Sequence, residues 1–89
     1  MAKSLKDRVA DALKDAVGES ARIELDDVPG GKIAGVVLSG FFAGQSASER
    51  QDHIWKHLDE SLTPFERTRI VFIVTDTPEE YEVLKTATG

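Results

Sequence analysis

Residues 33–39, Ile-Ala-Gly-Val-Val-Leu-Ser, are an apolar run of strand length that breaks into a glycine-bounded bend over Gly40–Gln45 and then a helix signal at Ser46. Residues 69–75, Arg-Ile-Val-Phe-Ile-Val-Thr, are a second such run. A continuous apolar run suggests a strand covered on both faces, or one parallel to its neighbour. A single helix between two such runs lets the strands lie parallel through a right-handed crossover. The intervening segment supplies that helix over 46–61. Ser46 with Glu49 makes a capping box, and Ser48 with Gln51 is an alternative. Ala47, Gln51, Ile54, Leu58 and Leu62 share one face, with Trp55 at its margin.

The flanking segments complete the architecture. Residues 4–17 carry Leu5, Val9, Ala12, Leu13, Ala16 and Val17 at helical spacing, with Ser4 as N-cap and Gly18 as the stop. Asp7, Asp11 and Asp15 line another face, read as solvated and offset by Lys3, Lys6 and Lys14. Residues 21–28 alternate, with Ile23 and Leu25 on one side, and the Pro29-Gly30-Gly31-Lys32 turn joins them to the run at 33–39 as a hairpin. Gly30-Gly31-Lys32 lacks the spacing of a phosphate loop and joins two strands, so it is read as a turn. Thr63-Pro64-Phe65-Glu66 opens a short helical turn. Thr77-Pro78-Glu79-Glu80 starts a last helix, with Tyr81 and Leu84 expected to face inward. The prediction is an α+β fold in one domain, residues 1–89: a three-stranded mixed sheet with the main helices packed on one face.

A chain of 89 residues buries only about 60% of its unfolded surface, so such a domain is thinly stabilised. It has no cysteine, which excludes disulfides, thiolate metal sites and cysteine nucleophiles. The charged N-terminal residues do not read as a secretory signal, and no apolar run reaches the ~20 residues that span a bilayer. A cytoplasmic location and no membrane association are expected. The net charge of −5 weighs against nucleic acid, whose phosphates are bound mainly by cations, although a local basic face would suffice.

No catalytic constellation is present: Ser39, Ser46, Ser48 and Ser61 lack a flanking base, so an enzyme is not expected. His53 and His57 stand four apart on one helix and are the weak metal candidates. No glutamate follows the first histidine and no four-ligand set is evident, so both are read as exposed surface residues, His53 opposite the core stripe. No cofactor is expected. Arg50, Lys56, Arg67, Arg69 and Lys85 lie in the C-terminal half and would form an anion patch if they met on one surface; the alternative is ordinary salt bridging.

In order along the chain stand Val36-Val37-Leu38-Ser39, Phe42-Ala43-Gly44, Ser46, then Arg50 with Ile54-Trp55 and Leu58, and finally Thr75-Asp76-Thr77-Pro78-Glu79-Glu80-Tyr81. This pattern resembles the BolA family, and with the first helix and hairpin the resemblance covers nearly the whole chain. It implies an αββααβ fold related to type II KH domains and a non-enzymatic regulator. It further implies pairing with monothiol glutaredoxins, [2Fe–2S] handling and, in some bacterial members, nucleic-acid binding and stress response. The family carries a ligand histidine near the start of the last strand, and many members a His or Cys in the hairpin loop. Here Arg69 stands nearest the first position and residues 26–32 contain neither. A guanidinium offers no lone pair to a metal, so ligation in the family's manner is not expected.

Three functions follow as expectations. The first is a BolA-like partner protein docking on another protein such as a monothiol glutaredoxin. The second is a KH-like nucleic-acid-binding regulator using Arg50, Lys56, Arg67 and Arg69; its bend, with Gly40 and Gly44, does not match the G-x-x-G clamp. The third is a homodimerising accessory domain with contacts at Phe41, Phe42 or Phe65.

Overall fold

The computed structural model describes the backbone of residues 3–88 and the side chains of residues 3–83. The inward-facing role expected for Leu84 and the patch role of Lys85 lie outside the described side chains. Helix α1 runs Leu5–Val17, strands β1 and β2 run Arg22–Val28 and Lys32–Leu38, and a 3-10 turn occupies Gly40–Phe42. Helices α2 and α3 follow at Ala47–Ser61 and Pro64–Arg67, then β3 at Ile70–Asp76 and α4 at Pro78–Thr88. The strand boundaries differ from those expected by one residue. Ser39 leaves β2 because its side chain accepts from the Phe41 N–H and caps the 3-10 turn.

The sheet order is β1-β2-β3, with β1 antiparallel and β3 parallel to β2. The mixed sheet follows from the two connections. A short turn returns β2 beside β1, whereas a helical crossover carries the chain to a parallel β3. Glycines at 30 and 31 make the hairpin turn with φ of 90° and 70°.

Both long helices pack on the same face of the sheet. Val9, Leu13 and Val17 of α1 meet Ile54 and Leu58 of α2 over Val37 and Ile73. Ile23 and Leu25 pack at the margin of this cluster. Phe42 is fully buried and is the largest such side chain. It reaches the core because the chain turns sharply after it, and Gly44 takes φ 79° to complete the bend, a conformation costly for any residue with a Cβ.

Strand β3 takes the second of the two alternatives that its apolar run allows. It is parallel, but it is not covered on both faces: Val71 and Phe72 are each 53% exposed. It is an edge strand, and its register with β2 slips between Ile33 and Ala34, leaving Val71 as the extra residue of a bulge.

Candidate functional site

The cations selected from the sequence go to different places. Arg50 is inside. Its residue exposure is only 8%, and it binds three other parts of the molecule. Its Nε donates to the Gln45 carbonyl at 3.0 Å and its Nη1 to the Thr75 carbonyl at 3.1 Å. Its two terminal nitrogens grip Glu80 at 2.6 and 3.1 Å. The guanidinium also lies 5.8 Å from the centre of the Phe42 ring. A planar fork can satisfy this many acceptors at once, which an ammonium cannot. Arg50 is therefore a buried tie between the bend, β3 and α4, in keeping with the salt-bridging alternative of the sequence reading.

Glu80 answers Arg50 because of where α4 begins. Thr77 caps that helix: the Glu80 N–H donates to Thr77 Oγ1 at 3.2 Å, and Glu80 Oε1 accepts from the Thr77 N–H at 2.8 Å. The same carboxylate then receives Arg50. The Arg50 hydrogen bonds, and after them the Thr77 backbone N–H, hold its pKa at about 2, well below the ordinary 4.5.

The other three cations sit elsewhere. Arg67 donates to Asp59 at 2.6 Å, while its Nε is buried without a hydrogen-bond partner. Lys56 is exposed on α2. Arg69 donates from Nε to the Gly31 carbonyl at 2.7 Å, and its guanidinium lies 5.9 Å from the Phe65 ring centre. Arg50 reaches the Thr75 end of β3 and Arg69 stands at its start. At about 3.3 Å per residue these points are about 20 Å apart. The four cations do not share one surface.

The histidines are also placed differently from expectation. Both are partly buried. His53 Nε2 lies 2.6 Å from the Ala16 carbonyl in the last turn of α1, and its ring packs 4.6 Å from Phe41. His57 packs 5.0 Å from His53, with Nδ1 at 3.2 Å from the His53 carbonyl. His53 is turned toward α1 because that helix lies along the flank of α2. Among the described residues no group of three or more His, Cys, Asp or Glu side chains could hold a metal ion.

Phe41 and Phe65, expected as contacts between copies, are 45% and 69% exposed, while Phe42 is wholly buried. Phe41 follows the C-terminal end of β2 and Phe65 lies over the hairpin end, so they do not form one apolar patch.

At that hairpin end lies an open groove of ≈ 840 Å³, lined among others by Ser4, Lys6, Asp27, Gly30, Gly31 and Arg69. The resemblance read from the sequence implies cluster ligands near the start of β3 and in the hairpin loop, the two segments that border this groove. The residues present do not fit a cluster. The chain has no cysteine, neither histidine lines the groove, and the Arg69 Nε is bonded to the Gly31 carbonyl with the Phe65 ring beside the guanidinium.

Neither a protein-family model nor a curated protein matches this sequence. The crystal structure of a Bol-like protein from Babesia bovis is similar, with a TM-score of 0.61 over 94% of this chain and 96% of that one, at 17% identity. The fold is BolA-like. Within it the six signature residues have definite positions. Phe42, Ile54 and Leu58 fill the core, Gly44 makes the bend and Ser46 caps α2 in a capping box with Glu49. Trp55 donates to Gln51 Oε1 at 3.1 Å, which aims the Gln51 amide at the Ile73 carbonyl, 2.8 Å away.

Sequence reasoning missed Glu80, Gln51 and Glu66 as working residues. The capping pattern was legible at all three helix starts after β2. The second partner of each carboxylate was not, because Arg8 and Arg50 arrive from distant segments: Arg8 binds Glu66, and Arg50 binds Glu80. Among the described residues no helix is long and apolar enough to cross a membrane.

Proposed function

We propose that this chain is a BolA-like partner protein: a non-enzymatic regulatory adaptor that docks on another protein, a monothiol glutaredoxin in the first instance, without donating a cluster ligand of its own. The observation that carries this reading is the ordered set of BolA-like motifs lying on a BolA-like fold that covers almost the whole chain. The setting would be cytoplasmic, in iron–sulfur or stress-response regulation. The burial of Arg50 and the pairing of Arg67 with Asp59 weaken the nucleic-acid alternative, because they leave few cations to displace counterions.

The test is titration of a [2Fe–2S]-loaded monothiol glutaredoxin with this protein, followed by size-exclusion chromatography and visible circular dichroism. A stable complex is expected. If neither a complex nor any spectral change is seen, the reading is wrong.

A further inference from the structure

The groove at the hairpin end cannot serve a metal, yet its wall carries a positioned cation. Lys3, Lys6, Arg8, Arg22, Arg50 and Arg67 each have a carboxylate partner. Arg69 has none among the described residues. Its orientation is nonetheless fixed at two points, by the Nε bond to the Gly31 carbonyl and by the Phe65 ring. A guanidinium held by Nε and by one face keeps its terminal nitrogens in a set plane, the arrangement that grips a carboxylate through two parallel hydrogen bonds.

Gly31 is part of the device. A Cβ built there would collide with Arg69 Nη2, and the backbone has φ 70°. Only glycine lets the guanidinium lie against the turn. Across the groove Lys6 faces Asp27 at 3.2 Å, and the two charges offset each other. The net charge of the wall is therefore that of Arg69 alone. Leu5, Val28 and Ile33 add apolar surface beside it.

One fixed guanidinium beside apolar walls suits one anionic side chain with an apolar neighbour. It does not suit a polyanion, which needs several cations and would meet a protein of net charge −5. We propose that this groove seats an Asp or Glu carboxylate of a protein partner, gripped by the fork of Arg69. This rests on the reading of the chain as a partner protein and names the chemistry by which it recognises one.

The experiment uses the full chain and a labelled acetyl-Glu-Leu-Glu-Leu-Glu amide, with its Gln-for-Glu counterpart, inorganic phosphate and an oligothymidine as comparison probes. Nuclear magnetic resonance titration should shift the Arg69 Nε–H and the Gly30 and Gly31 amide signals with the Glu peptide. The Gln peptide should bind about tenfold more weakly, a difference of about 1.4 kcal/mol. R69Q should remove this preference and R69K should keep part of it, with thermal melts showing that both variants fold. Equal binding of the two peptides, or shifts confined to another face, would overturn the proposal. So would phosphate or oligothymidine saturating these signals at concentrations where the Glu peptide does not. Glutaredoxin binding separates the two readings. If it fails while the Glu peptide is still preferred, the partner assignment falls and the groove stands. If it binds wild type and R69Q equally, the groove falls and the assignment stands.

Discussion

At the scale of the residue, two glutamates do two jobs each. Glu66 and Glu80 occupy the third position of their helices and accept from the backbone N–H of the capping threonine. Each then receives an arginine from a helix far away in the chain, Arg8 or Arg50. For Glu80 the consequence is a pH dependence. Its pKa is depressed to about 2 from 4.5, so the stability it contributes is present above about pH 4.5 and is lost as the pH falls toward 2. Glu66 and Glu49 are lowered by their capping bonds in the same direction. E80Q should therefore flatten the decline of melting temperature between pH 4.5 and 2 relative to wild type, measured by circular dichroism. R50K should melt lower than E80Q at pH 7. A lysine keeps the charge but cannot satisfy Gln45, Thr75 and Glu80 together, whereas E80Q keeps the helix cap.

At the scale of the element, the notable feature is how β3 survives as an apolar edge. An exposed, uncharged edge strand is a template for pairing with another chain. Asp76 gives its carbonyl to Ser39 of the β2 end, so by alternation the Ile73 and Thr75 carbonyls face away from β2. Those two accept from Gln51 and Arg50. The bulge at Val71 disturbs the remaining stretch. Side chains of α2 thus close the edge that the sheet leaves open. Q51A uncovers the Ile73 carbonyl, and it should raise the tendency to self-associate above that of wild type in sedimentation velocity over a concentration series. Unchanged sedimentation would show that the edge is protected by other means.

Elements were read from the sequence to within a residue at most boundaries, because caps and turns act locally. Ser4, Ser46 and Thr63 were legible as caps since each bonds an N–H three residues on. The coverage of β3 was not legible. A strand that is apolar on both sides looks the same in sequence whether a second layer covers it or a neighbouring side chain guards its edge.

At the scale of the whole molecule, one small core supports everything. Phe42 lies at its centre, and F42A should cost about 3–5 kcal/mol. That is a large share of the about 5–15 kcal/mol typical of a folded domain. With helices and sheet sharing that core, unfolding in urea should be a single transition. Fluorescence of Trp55, the sole tryptophan, and far-ultraviolet circular dichroism should give the same midpoint. Separate midpoints would mean that the helical layer loosens before the sheet.

The sequence by itself determined the order of elements, the parallel crossover, the core face of α2 and the absence of thiolate chemistry. These depend on periodicity, local capping and residue type, all of which act over a few neighbours. Only the tertiary structure decided what the cations and histidines do. Arg50 and Arg69 are equally basic in the sequence. Arg50 is 30 residues from Glu80 and Arg69 is 38 from Gly31. Folding buries the first beside a carboxylate and leaves the second on the wall of a groove. Charge is local information, but pairing depends on which distant segment the fold brings within about 3 Å.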